Sequence, residues 1–192
     1  MVLDAGAEGI IASYIETVEQ VQALRGAVKL RPIKGEHLRH ILKDTYGALE
    51  PSIESYISER YQAALIVNIE SVLAMEALDE ILTVPQLDGI LIGPHDLSCS
   101  LGIPEKYDHP DFDRAVRSIL QVARQENIAA GIHYTMGDIE QEIQWIQEEN
   151  ANLIIHRADL IVFVNEMRRQ IGQIRAALGD SGESLEESAI NI

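Results

Sequence analysis

"ALIVNIESVLAMEALDEILTVPQLDGILIGPHDLS" (64–98) decides the fold. Its first seven residues, "ALIVNIE", form a continuous apolar run rather than an alternating one, which is the signature of a parallel strand covered on both faces. A helix over 72–82 follows, then a second short strand over 88–93. The unit is therefore strand, helix, parallel strand. It carries two carboxylates where none is expected: Glu70 at the end of the first strand and Asp96 just past the end of the second.

Outward from this unit the pattern repeats. "EGIIASYI" (8–15) reads as a strand, and in "ETVEQVQALRGA" (16–27) Val18, Val21 and Leu24 fall at helical spacing before Gly26. Pro32 and Gly35 make "VKLRPIKGEHL" (28–38) a loop, and Pro51 opens the helix of "EPSIESYISERYQAAL" (50–65). Beyond residue 98 come helix 111–126, strand 128–134, helix 137–148, strand 152–156 and helix 159–177. Five β/α units in succession imply right-handed crossovers and one parallel sheet.

An open doubly wound sheet and a (β/α)₈ barrel both fit this order. No glycine-rich phosphate fingerprint stands at a strand-to-helix turn, which disfavours a dinucleotide-binding sheet. Polar residues gather instead at successive strand ends: Tyr14, Asn68 with Glu70, His95 with Asp96, His133 and His156. In a barrel those ends form one ring around the active site. A barrel of this kind closes with eight strands, so the expected fold is α/β, a partial TIM (β/α)₈ barrel with about five of eight units. Its two outer strands are then open parallel edges.

With 192 residues and 46% hydrophobic content, the chain supports one sizeable core. We expect one partial-barrel domain over 1–178 and an acidic, disordered tail over 179–192, "GDSGESLEESAINI". Lys and Arg total 15 against 31 Asp and Glu, and the net charge of −16 opposes binding to nucleic acid or to anionic membranes. The lone Cys99 makes no internal disulfide. Without a signal-like N-terminus or a long apolar run, a cytoplasmic protein is expected.

A carboxylate at the end of a buried strand needs hydrogen bonds, a cationic partner or a metal. Neighbouring strands lie about 4.8 Å apart, so the oxygens of Glu70 and Asp96 are placed to converge on one hard cation, Mg²⁺ or Mn²⁺, with open positions left over. The alternative is structural: Glu70 starts the next helix near its dipole, and Asp96 caps the turn in "GPHDLS". Spacing alone leaves both open.

Three stretches, "LDAGAEGI" (3–10), "VNIES" (67–71) and "LDGILIGPHDLSCSLG" (87–102), resemble the HpcH/HpaI aldolase/citrate lyase family, also known as the 2-keto-3-deoxy sugar-acid aldolases. "GIHYTMGD" (131–138) and "ANLIIHRAD" (151–159) match its last two strand ends more loosely. The resemblance implies a class II, metal-dependent aldolase on a TIM barrel. Such an enzyme cleaves 4-hydroxy-2-oxo acids to pyruvate and an aldehyde through an enolate that the metal stabilises.

By that match Glu70 and Asp96 are the ligands of Mg²⁺, Mn²⁺ or Co²⁺. Asn68 stands where many members carry a substrate-contacting Gln. Gly93, Pro94 and His95 form the turn whose backbone N–H groups face the pyruvate carboxylate, and His133 sits where the aldehyde is selected. Asp4 matches the aspartate that pairs with the family's catalytic histidine. The family assembles as hexamers, so a homo-oligomer is implied.

The resemblance also implies three upstream β/α units carrying that histidine base and an orienting arginine. This sequence begins inside the third helix and shows neither. His95 and His133, at strand ends, are candidate replacements for the base, whereas His37, His40 and His109 lie on loops or helix surfaces and His156, beside Arg157, is structural. Two alternatives are kept. One is a catalytically impaired protein that still binds metal and pyruvate and oligomerises. The other is a carbon–carbon lyase of acyl-CoA thioesters like the citrate lyase β chain.

Overall fold

The computed structural model describes residues 2–43, 49–135 and 137–180. Five strands, β1 (Gly9–Ala12), β2 (Ala64–Ile69), β3 (Gly89–Ile92), β4 (Ala129–Tyr134) and β5 (Leu153–His156), form one sheet in sequential order, every neighbouring pair parallel. Helices intervene: α1 (Val18–Val28), α2 (Gly35–Lys43), α3 (Pro51–Arg60), α4 (Val72–Glu76), α5 (Leu78–Leu82), α6 (Pro94–Ser100), α7 (Pro110–Gln125) and α8 (Ile139–Glu149), with α9 (Asp159–Ala177) following β5. Most of the tail expected over 179–192 lies outside the described residues. No helix among the described residues is long and apolar enough to cross a membrane.

Local chemistry sets the helix starts. Thr17 and Gln20 form a reciprocal capping box at α1, the Ser71 hydroxyl caps α4, and Asp138 caps α8. Pro51 and Pro110 occupy first turns, where the missing N–H costs nothing.

The period of two along each strand divides the sheet into unlike faces. Leu65, Val67 and Ile69 of β2, Ile90 and Ile92 of β3, and Ile132 of β4 are fully buried against the helices. There they join Phe112, Ile119 and Trp145 in the main core. The other face holds Ile11, Ile66, Asn68, His133 and Ile155, all of them half-buried or exposed. One face is core, and the other is a wall of side chains that would look into a barrel.

Three elements differ from the sequence reading. The expected loop over 28–38 gives way to α2 from Gly35 onward, because Leu38, Ile41 and Leu42 fall at helical spacing over a second cluster with Leu30, Ile33 and Ile57. The single helix expected over 72–82 breaks at Ala77, which turns Leu78, Ile81 and Leu82 into the core while Leu73 stays exposed. The "GPHDLS" turn winds into α6.

Lys29 Nζ lies 2.5 Å from Asp88 Oδ2, which also accepts the Leu65 N–H at 2.6 Å, fastening the end of α1 to the start of β2. The long α9 has no buried residue. Leu160, Phe163, Met167, Ile171 and Ile174 are each at least 41% exposed along it.

Candidate active site

The C-terminal ends of the strands open into a cleft of about 450 Å³, lined by Asn68, Glu70, Gly93, Pro94, His95, Asp96 and His133, with Ile11, Leu91, Ile92 and Ile155 as its apolar wall. Seven of the eight site residues that the family resemblance implies therefore meet in one place, all but Asp4. They do so because β2, β3 and β4 are consecutive in the sheet and each ends at the same edge.

Glu70 is the best-defined member. It is only 6% exposed. Its Oε1 accepts the Tyr14 backbone N–H at 2.6 Å and its Oε2 accepts the Asn68 amide at 3.0 Å. Both donors are neutral, and among the described residues no basic side chain pairs with it. A buried anion held only by neutral donors is short of positive charge. Glu70 stands one residue before the Ser71 cap of α4, and its carboxylate lines the cleft.

Gly93 explains how Glu70 fits. A Cβ at position 93 would lie 2.5 Å from Glu70 Oε2 and 3.0 Å from Glu70 Cβ. Only glycine leaves the carboxylate its place. Asp96 sits in the first turn of α6, exposed at the cleft mouth, with no basic side chain paired to it among the described residues. Here the first turn favours an acid through the helix dipole, which is compatible with either reading of Asp96.

The donor set suits a hard cation. It offers two carboxylates, one of them buried without countercharge, and no thiolate. Among the described residues no group of three or more His, Cys, Asp and Glu side chains is arranged to hold a metal. Glu70 and Asp96 are the two carboxylates that line the cleft.

Asn68 uses its amide on Glu70, and its buried Oδ1 has no hydrogen-bond partner among the described residues. His95 has its ring 61% exposed, with Nδ1 3.7 Å from Glu105 Oε1. His133 is half-buried on the cleft face, and no described residue is hydrogen-bonded to its ring.

Two expectations about position need correction. Asp4 lies in a short 3-10 turn (Leu3–Ala5) before β1, at the opposite end of the sheet, where it pairs with Arg31 and lines a different cleft with Lys34 and Tyr61. It does not join the other candidates, because a residue that precedes a strand stands at that strand's N-terminal end. His156 also leaves the ring. Its neighbour Ile155 pairs with His133, so His156 falls on the helix-facing side with Tyr134 and bonds the buried Glu142 at 2.6 Å.

One residue of the expected ring contributes by its backbone and not by its side chain, which is exposed. Tyr14 reaches Glu70 through its backbone in a left-handed conformation, φ 58°. No glycine or asparagine announces that turn.

A family model described as HpcH/HpaI aldolase/citrate lyase matches residues 1–154. The 2-keto-3-deoxy-L-rhamnonate aldolases of Klebsiella pneumoniae and Escherichia coli K12 are each 28% identical to the chain, over 190 and 191 residues; the matches cover 98% and 97% of this chain and 68% of each relative. The crystal structure of an HpcH/HpaI aldolase from Desulfitobacterium hafniense DCB-2 superimposes with a TM-score of 0.70 at 22% identity, over 91% of this chain and 66% of that one. The chain spans about two thirds of the length of the relatives it matches. The structural likeness is one of fold: the five parallel strands and their helices form a partial TIM (β/α)₈ barrel, as the sequence predicts.

Proposed function

The chain belongs to the HpcH/HpaI aldolase/citrate lyase family, and from that premise we propose that its cleft is the site of a metal-dependent aldolase acting on 4-hydroxy-2-oxo acids. The observation that carries the proposal is Glu70, a buried carboxylate held by two neutral donors in a cleft that Asp96 also lines. Glu70 and Asp96 would hold a divalent cation, Mg²⁺, Mn²⁺ or Co²⁺. A cation of this kind supplies Lewis-acid polarisation of the 2-oxo group.

The rest of the work belongs to the chain's own groups. Of the Gly93–Pro94–His95 turn at the start of α6, the His95 N–H is the one that would receive the substrate carboxylate, since the Gly93 N–H donates to Ile69 O at 3.3 Å and Pro94 has none. Asn68 fixes the rotamer of Glu70 through its amide N–H. Ile11, Leu91 and Ile155 exclude water from the reacting carbons. The products are pyruvate and an aldehyde. The half-exposed apolar row of α9 supports assembly with further copies of the chain.

The test is a calorimetric titration with Mn²⁺ followed by pyruvate, run on the parent and on Glu70→Gln. The parent should bind one Mn²⁺ and then pyruvate, with chelator abolishing the second event. Glu70→Gln should bind neither. Equal Mn²⁺ binding by the two proteins would refute the assignment.

A further inference from the structure

The turn that follows His133 is fastened from the neighbouring strand by one side chain. Arg157, half-buried just past the end of β5, donates from Nη1 to the Thr135 carbonyl and from Nη2 to the Gly137 carbonyl, each at 3.1 Å. Its backbone N–H donates to the Tyr134 carbonyl at 3.4 Å, which continues the pairing of β4 with β5. Hydrogen bonds from a charged donor are stronger than neutral ones, so the guanidinium is the firmest tie on this turn.

The surrounding contacts leave the turn little freedom. Gly137 lies so close to the Tyr134 ring that it admits no Cβ. Tyr134 bonds Gln141 of α8 through its hydroxyl, and His156 bonds Glu142 of the same helix at 2.6 Å. The ends of β4 and β5 and the start of α8 are thereby joined into one corner, of which His133 and Ile155 are the members that line the cleft.

Arg157 does this from a left-handed backbone, φ 59°. A residue with a Cβ is disfavoured there and glycine is not. Such strain persists only where the surroundings over-determine it, and it gathers at functional sites. The head group of Arg157, which glycine could not supply, is the reason for a long side chain at this position.

We propose that Arg157 is a positioning residue of the cleft, which by holding the turn after β4 keeps His133 and Ile155 in the wall that selects the substrate beyond C3. This rests on reading the site as an aldolase. The division of labour follows from the sheet: Glu70 and Asp96 come from the ends of β2 and β3, and His133 and Ile155 from β4 and β5. The 2-oxo acid end of the substrate therefore does not depend on Arg157, whereas the end that becomes the aldehyde does.

The experiment uses the full 192-residue chain and compares the parent with Arg157→Gly and Arg157→Lys. Arg157→Gly removes the head group and suits the left-handed backbone, so the clamp is lost while the chain path is kept. With Mn²⁺ present, calorimetry gives the Kd of pyruvate and of 2-oxohexanoate, whose tail extends past C3. On the metal-free protein, proton NMR follows the C2–H of the His133 imidazole, identified by its absence in His133→Gln.

Arg157→Gly should keep the pyruvate Kd within about threefold and weaken 2-oxohexanoate about tenfold, the factor that re-ordering roughly one backbone residue costs. The His133 resonance should shift and broaden. Arg157→Lys, with one ammonium for two carbonyls, should fall between the parent and Arg157→Gly, and it carries the same comparison if the glycine variant does not fold. Equal weakening of both acids overturns the assignment, because a merely structural role moves the two together. An unchanged His133 resonance overturns it as well. If the parent binds neither acid, the aldolase reading fails by itself, and the His133 resonance still decides whether Arg157 holds the wall.

Discussion

Adding one methyl group at Gly93 interrogates the geometry of the cleft more sharply than removing a ligand does. In Gly93→Ala the new Cβ would stand 2.5 Å from Glu70 Oε2 and 3.0 Å from Glu70 Cβ. The carboxylate is the far end of a flexible side chain and could swing away, but only by giving up the 2.6 Å bond from Tyr14 or the 3.0 Å bond from Asn68. Losing one bond to a charged group costs about 1.5–3 kcal/mol. If Glu70 stays and the backbone yields instead, overpacking costs about 1–3 kcal/mol.

Either route gives about 2 kcal/mol, or roughly thirtyfold in an equilibrium constant. We therefore expect Mn²⁺ affinity to fall about thirtyfold by calorimetry and the urea midpoint to drop with an unchanged m-value. The control is Gly172→Ala in α9, where a Cβ meets nothing within 4 Å; it should be neutral or stabilising by about 0.5–1 kcal/mol. A Gly93→Ala protein with the parent's Mn²⁺ Kd and midpoint would show that Glu70 is not held where the cleft requires it.

Three further outcomes are expected. Burial first, then the charges of Asp138 and Glu142, push the Tyr134 phenol up to about 12, against its backbone hydrogen bond with Asp138. Stability from the neutral phenol is therefore complete below the unfolded value of about 10 and is lost as pH rises from 10 towards 12. Tyr134→Phe should flatten that part of the stability–pH curve, although it also loses the 2.6 Å bond to Gln141. Trp145→Phe empties space beside Tyr134 and removes the 2.8 Å bond to Asp113, so circular dichroism should report a loss of about 1–3 kcal/mol in a urea melt. Phe163→Glu with Ile174→Glu changes only exposed α9 positions; sedimentation should show a smaller assembly, and an unchanged sedimentation coefficient would remove α9 from the contact.

The strands were legible because buried parallel strands leave continuous runs such as "ALIVNIE", and the cleft was legible because those strands end together. Gly35 hid α2. Glycine ordinarily stops a helix, but here its left-handed φ of 59° turns the chain into one. His156 was misplaced because chemistry was read before parity, and one residue along a strand changes its face. Asp4 was carried by resemblance alone and lies at the wrong end of its strand. The contribution of Tyr14 is a backbone N–H presented by an unusual φ, and a side-chain alphabet does not encode that.

Because consecutive residues of β2 to β5 serve opposite faces, adjacent letters of the sequence answer to separate selective demands. A change at Val67 or Ile69 is judged by folding, whereas one at Asn68 is judged by what the cleft accepts. Stability and specificity often compete for the same positions in an enzyme. Here the alternation assigns them different ones, so Ile11, Leu91 and Ile155, which line the cleft, are free to change while the helix-facing residues hold the fold unchanged.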